Sequence, residues 1–132
     1  MIERSPQPSE VARQLLVHLV PEGQPPDTVL DAFETVYRQL RERMALLLGQ
    51  AGFDALWQRA LHQVQPGVTT LPALVSGHGQ GDVRECVLAV FTNCFTLLYT
   101  FIGGDLSFRL IRQTWPSIPF RDPEEQAGGA NQ

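Results

Sequence analysis

The 132-residue sequence contains no lysine, so all ten of its basic residues are arginines. Without lysine the chain has no amine for Schiff-base chemistry and no phosphate-binding loop of the type that ends in a lysine. Acidic residues number 14, which gives a formal net charge of −4. Because nucleic-acid-binding domains use an excess of basic residues to release counterions from phosphates, the composition argues against a nucleic-acid partner.

Cysteine is scarce, and its two copies cannot pair with each other. Cys86 and Cys94 lie eight positions apart in one predicted helix. That separation spans about 12 Å of helix, too far for a disulfide bond. The segment from Met1 to Pro6 lacks the apolar core of a secretory signal. We therefore predict a cytoplasmic protein with two buried, reduced thiols.

Motifs of catalysis and metal binding are also lacking. No Gly-x-Ser-x-Gly elbow occurs. The three histidines, His18, His62 and His78, lie in different segments, and none has the His-Glu-x-x-His spacing that places two ligands on one helical face. The sequence therefore predicts no catalytic, cofactor-binding or metal-ligating residue, and hence no enzyme.

The glycine-rich segment from Gly77 to Gly81 precedes a predicted helix, where glycines can form a nest for an anion. The dinucleotide fingerprint, however, requires a preceding strand, and none is predicted here. Asp82 stands at the expected cap of the helix and would repel an anion. A flexible linker is the favoured interpretation of this segment.

What the sequence does contain is apolar residues at helical spacing, which predicts an all-α fold. We expect a helical bundle of four main helices preceded by a short N-terminal helix, forming one domain over 1–120, with a disordered tail over 121–132. The short helix is expected from Ser9 to near Val20, after a loose arm over 1–8. The main helices are expected from Asp27 to Gly49, from Phe53 to before Pro66, from Asp82 to Gly103, and from Leu106 to Trp115.

In the first of these main helices the predicted inward-facing residues form a heptad pattern. They are Leu30, Phe33, Tyr37, Leu40, Met44 and Leu47. Its charged residues are spaced for ion pairs along a solvated side, as in Glu34–Arg38 and Arg38–Glu42. Arg41 and Arg43 could serve a partner's carboxylates, although nothing in the sequence requires it.

The third main helix is the most apolar, and we predict that it lies at the centre of the bundle. The core residues predicted on this basis are Phe91, Phe95, Leu98 and Phe101, together with Leu40 and Trp57. The uncharged run over 86–102 is at the lower limit of membrane-spanning length, but Asn93 and three threonines interrupt it. A buried helix is favoured, and we predict no membrane span.

One side of this helix carries small residues, which predicts close approach by a neighbouring helix or by a second copy of the chain. The candidate interface consists of Ala89, Thr92, Asn93, Thr96, Thr100 and Gly103. A buried asparagine amide needs a partner. Asn93 has two candidate partners: the same residue across a two-fold axis, or a backbone carbonyl or loop within one bundle.

Residues 100–116 (TFIGGDLSFRLIRQTWP) and 52–61 (GFDALWQRAL) resemble a C-terminal pattern and an inner motif of small, uncharacterised, helical bacterial proteins. The two stretches cover about a fifth of the chain. The resemblance implies a helical fold but no activity, and it transfers no functional residue.

From these observations we expect a non-catalytic interaction or regulatory module that acts through protein–protein contacts, without a cofactor, as a homodimer or other homo-oligomer. The alternative is a small-ligand-binding bundle with an apolar pocket in its core. Oligomeric state and a co-purified ligand are the observations that discriminate between the two.

Overall fold

The computed structural model describes residues 6–21, 23–67 and 83–120. Within these ranges the chain forms helices and no strand, which confirms the all-α prediction. The helices are α1 (Pro8–Leu19), α2 (Pro26–Val64), α3 (Val83–Ile102) and α4 (Gly104–Thr114). The glycine-rich segment from Gly77 to Gly81, the expected cap at Asp82 and the tail over 121–132 lie outside the described residues.

Prolines, rather than polar caps, begin the first two helices. Side-chain caps were expected at Ser9 and Asp27, but α1 begins at Pro8 and α2 at Pro26, and neither N-cap position makes a side-chain hydrogen bond. Proline suits the first helical turn because its fixed φ is helical and its missing N–H would have no partner there. Asp27 lies in the first turn instead, where its negative charge interacts favourably with the helix dipole.

Helix α2 is broken at Gly49, whose φ of 77° and ψ of 158° are not helical. The segments on either side, 26–48 and 50–64, correspond to two of the expected main helices. They pack against each other as an antiparallel hairpin. Arg41 contacts Asp54, while Phe33 contacts Trp57, so residues farther from Gly49 on one side meet residues farther from it on the other. Only Gly49 is non-helical at this turn, whereas the sequence predicted a short glycine turn that also included Gly52.

Helix α3 lies at the centre of the fold and packs against α1, α2 and α4. The rings of Phe33 and Phe91 stack with their centroids 5.8 Å apart, and the Trp57 ring lies 6.5 Å from that of Phe91. Five of the six predicted core residues are buried, which confirms them. These five are Leu40, Trp57, Phe91, Phe95 and Leu98.

Phe101, the sixth predicted core residue, is 60% exposed, so this prediction is wrong. Its spacing matches the buried side of α3, but it lies in the last turn, beyond Leu98, which is the last fully buried residue of the helix. Periodicity predicts the direction in which a side chain points. It does not predict where the neighbouring helices end.

The heptad pattern predicted for 26–48 is also only partly correct. The residues buried there follow steps of four, three, four and four, and they are Val29, Phe33, Val36, Leu40 and Met44. A straight helix has 3.6 residues per turn, so its buried side drifts away from a strict seven-residue repeat. Leu30 and Tyr37 are consequently half-buried, and Leu47, near the tip of the hairpin, is 51% exposed.

The C-terminal part of the described chain closes over the hairpin. The Trp115 indole donates a hydrogen bond from Nε1 to Oε1 of Gln39 at 2.7 Å. Beyond α4, Ile118 and Phe120 are buried, and the Phe120 ring meets that of Phe108 edge-on. The packed core therefore reaches the end of the described residues at position 120.

Candidate interaction surface

The predicted interface residues lie together on the side of α3 that points away from the core. Thr96, Thr100 and Gly103 are exposed. Ala89, Thr92 and Asn93 are half-buried. We call these six residues the small-residue face.

Asn93 forms its contact within the chain. Its Nδ2 donates a hydrogen bond to the backbone carbonyl oxygen of Ala60 at 3.2 Å, which ties α3 to the second segment of α2. Of the two partners considered for this amide, the structure shows the one inside the bundle. Asn93 therefore positions one edge of the small-residue face and does not need a second copy of itself.

The threonines of the face turn their hydroxyl groups back onto their own helix. Thr96 donates to the carbonyl oxygen of Thr92 at 2.7 Å, and Thr100 donates to that of Thr96 at 2.9 Å. These bonds to the preceding turn are common for helical threonines. Because each hydroxyl proton is already bonded, these groups interact with water only as acceptors.

The outward side of α3 also lacks charge. No charged residue occurs between Glu85 and Asp105, so the exposed positions of α3 within that stretch are all uncharged. At its C-terminal end the helix exposes Phe101 as well. Water-facing sides of helices in globular proteins are normally charged or strongly polar, and an uncharged one is typical of a contact surface.

A shallow groove of about 360 Å³ runs along the C-terminal half of this face. It is lined by Thr96, Tyr99 and Thr100 on α3, by Gly104, and by the N-terminal segment over 6–8. The Tyr99 hydroxyl donates to the carbonyl oxygen of Pro6 at 2.8 Å, and Pro6 is buried. The end of the predicted loose arm is thus tied to α3, and it forms one wall of the groove.

A cluster of three polar side chains, which the sequence analysis missed, joins the two segments of α2. The Arg41 guanidinium donates from Nε to Asp54 Oδ1 at 2.8 Å and from Nη2 to Oδ2 at 3.0 Å. The Tyr37 hydroxyl donates to the same Oδ1 at 2.8 Å. We call these three residues the hairpin clamp, because they connect side chains on opposite sides of Gly49.

The clamp shifts the acidity of its members. Hydrogen bonds from Arg41 and then from Tyr37 lower the pKa of Asp54, and the hydrogen bond to Asp54 raises the pKa of Arg41. Burial, followed by the Asp54 carboxylate, raises the pKa of Tyr37. The three groups therefore favour one protonation state, with Asp54 ionised and Tyr37 neutral, as expected of a structural contact.

The clamp changes the interpretation of the two arginines that could have served a partner's carboxylates. Arg41 is engaged with Asp54, and Arg43 donates from Nη2 to the carbonyl oxygen of Gln113 at 3.4 Å. The sequence signal was present, since an arginine and an aspartate flank a glycine-containing break. Their pairing depends on the conformation of Gly49, which sequence spacing alone does not give.

Groups suited to chemistry are sparse in the described part of the chain. Across 6–21, 23–67 and 83–120, no three His, Cys, Asp or Glu residues come together in a way that could hold a metal ion. Cys86 and Cys94 are both buried, as expected, and burial strongly raises the pKa of the Cys94 thiol, which keeps it protonated. The absence of enzyme activity and of a bound metal remains a prediction.

Helix α3 is the one helix among the described residues that is long and apolar enough to cross a membrane by length and composition. The central helix of a water-soluble bundle meets the same criteria, and α3 buries one full side against the other helices. Its membrane-free placement remains a prediction. No protein-family model, curated protein or solved structure matches this chain significantly.

Proposed function

We propose that this chain is a non-catalytic interaction module, located in the cytoplasm, that self-associates through the small-residue face of α3. The observation that carries the proposal is the uncharged outward side of α3 between Glu85 and Asp105. That side includes exposed threonines whose hydroxyls are bonded internally. Such a surface loses little hydration when it is covered, so covering it is favourable.

A second copy of the same chain is the partner that this surface suits best. The chain carries a net charge of −4, so two copies repel each other, and the repulsion is smaller where they meet through a region without charged side chains. The small-residue face is such a region. Its short side chains allow the axes of two α3 helices to come close together, and two-fold symmetry would pair the face with itself.

The alternative, a small-ligand binder with an apolar core pocket, is less well supported by the described residues. Three grooves that these residues form lie open at the surface and have mixed polar and apolar linings. The centre of the bundle is filled by the rings of Phe33, Trp57, Phe91 and Phe95. Interaction through a surface is therefore the better-supported function.

The oligomeric state of a pair of matched variants tests the proposal. Thr96→Arg places a long charged side chain on the small-residue face. Thr35→Arg is its control, because Thr35 is an exposed threonine of α2 whose hydroxyl also donates to the carbonyl four residues earlier, that of Asp31. Both changes remove the same kind of hydrogen bond and add the same charge at an exposed helical site.

We expect the parent and Thr35→Arg to sediment as dimers and Thr96→Arg to sediment as a folded monomer. A parent that stays monomeric at high concentration contradicts the proposal. A Thr96→Arg variant that remains as dimeric as Thr35→Arg contradicts it as well, because the charge would then lie outside the interface.

A further inference from the structure

The hairpin in α2 turns at one residue. Gly49 has a φ of 77° and a ψ of 158°, a conformation open essentially to glycine alone, while its neighbours Leu48 and Gln50 lie within α2. A change of backbone conformation at Gly49 by itself therefore converts the hairpin into one continuous helix. With 39 residues, that helix would be about 58 Å long.

The hinge divides the fold into two parts that pack against each other. The part before Gly49 contains α1 and the first segment of α2, and the part after it contains the second segment, α3 and α4. The hairpin clamp, the Phe33–Trp57 contact and the Tyr99–Pro6 bond all join one part to the other. If the hinge straightens, each of these contacts can form again between two copies of the chain.

The surface beside the hinge is unusual for the tip of a solvent-facing hairpin. No charged residue occurs from Met44 to Phe53. Leu46 is 83% exposed and Leu47 is 51% exposed. At least half of the surface of each leucine is therefore exposed in the closed hairpin. In two continuous helices related by two-fold symmetry, the segments around Gly49 approach each other and can cover it.

We propose that Gly49 is a swap hinge: residues 26–64 straighten into a continuous helix, and two copies of this chain exchange the parts on either side of Gly49. The exchanged dimer keeps the internal contacts of each fold, so the balance between the two forms depends on the hinge and on the new contact around Leu46 and Leu47. This inference does not rest on the small-residue face of α3. Thr96→Arg is therefore included in every protein used to test it.

The dimerisation constants of three glycine-to-alanine variants test whether Gly49 controls the exchange. At Gly49 an added Cβ meets nothing within 4 Å, so Gly49→Ala acts only through its backbone, by straining the hairpin and favouring the helix. The strain of an alanine in this conformation is worth a factor of about five or more per hinge, and an exchanged dimer contains two hinges. We expect the dimerisation constant to rise by roughly 25-fold or more, as measured by sedimentation over a concentration series.

Two control variants introduce a change in helix propensity and a change in backbone strain, each at a glycine other than Gly49. Gly52 is helical in the hairpin, and its added Cβ makes only an ordinary 3.4 Å contact with Leu48, so Gly52→Ala raises helix propensity equally in both forms. Gly23 has a φ of 94° in another turn, so Gly23→Ala introduces strain that is the same in both forms. Neither control should change the dimerisation constant. If Gly49→Ala dimerises no more than these controls, the proposal is overturned.

A charge exchange across the hairpin clamp gives an independent result. Arg41→Asp and Asp54→Arg each place two like charges at the clamp of a closed chain. When the two variants, each also carrying Gly49→Ala, are mixed and refolded together, an exchanged heterodimer restores an opposite-charge pair at both clamps. We expect the mixture to yield heterodimers above the statistical proportion, detected by different affinity tags. Formation of monomers alone, or of homodimers and heterodimers in statistical proportion, overturns the proposal.

Discussion

Helices α2 and α3, the two longest that the structure describes, bury similar apolar sides but present opposite surfaces outward. The first segment of α2 exposes a mixed row of charges suited to water, consisting of Asp31, Glu34, Arg38 and Glu42. The outward side of α3 carries threonines and glycine with no charge between Glu85 and Asp105. Packing of the core explains the inner sides of both helices. It does not explain the uncharged outer side of α3, and that difference points to a contact surface there.

The sharpest way to test the inner side of α3 is to compare two phenylalanines of the same helix. Phe95 is fully buried, and Phe101 is 60% exposed. We expect Phe95→Ala to lower the free energy of unfolding by about 3–5 kcal/mol, because it removes a large side chain from a packed core. Phe101→Ala should lower it by less than about 1 kcal/mol, since the ring is largely in water. Chemical denaturation followed by circular dichroism measures both.

A Phe95→Ala variant with the stability of the parent would show that α3 is not central to the fold. Equal losses from the two variants would show that Phe101 is covered, for example by a second copy of the chain at the end of α3. Measuring Phe101→Ala at low and high protein concentration distinguishes that case, because only a covered ring gives a concentration-dependent loss.

Asn93 lies between the buried and the exposed sides of α3, and substituting it tests whether its amide stabilises the bundle or the dimer. Its amide donates to the carbonyl of Ala60, so Asn93→Ala should lower the free energy of unfolding by about 1 kcal/mol and leave the oligomeric state unchanged. Denaturation and sedimentation of the same sample check the two parts. Loss of the dimer with unchanged monomer stability would instead place Asn93 at a two-fold axis.

The smallest expected effect belongs to the hairpin clamp, where the Asp54 carboxyl is more than a third exposed and its ion pair is screened by solvent. The folded-state pKa of Asp54 lies below its ordinary value of 3.8. Its stabilising contribution is therefore complete above pH 3.8 and is lost as the pH falls through the lower, folded-state value. Asp54→Asn should be slightly less stable than the parent at neutral pH, and the difference should shrink in strong acid.

Glu34→Gln is the control for that titration, because Glu34 is an exposed carboxylate on the same helix segment. Denaturation midpoints of the three proteins between pH 2 and pH 7 give the comparison. A parent-to-Asp54→Asn difference that grows as the pH falls would contradict the clamp, since a carboxylate held by an arginine loses its contribution on protonation.

Much of the fold follows from periodicity, and the failures have physical causes. The apolar spacing that placed Phe91, Phe95 and Leu98 in the core is a local property of one helix, and it predicted their burial correctly. The exposure of Phe101 depends on where the neighbouring helices end. The clamp between Arg41 and Asp54 depends on the backbone of Gly49, which brings together residues 13 positions apart.

The sequence predicted that six small residues share one side of α3, but not how that side is placed or hydrogen-bonded. The six residues of the small-residue face were identified from their size and spacing, and the structure places them on one side of α3. The sequence could not show that this side faces outward, or that the hydroxyls of Thr96 and Thr100 are bonded to the preceding turn. Those features arise from packing and rotamer choice.

Disulfide trapping across the small-residue face is the most direct test of the account. Thr92→Cys, Thr96→Cys and Thr100→Cys each place a thiol on that face, Thr35→Cys serves as the control on α2, and the native cysteines are buried. A disulfide between copies forms readily only when the two Cα atoms approach to within about 7 Å. We predict that at least one α3 variant oxidises to a covalent dimer far faster than Thr35→Cys. If all four variants oxidise at the same slow rate, α3 is not the surface through which this chain associates.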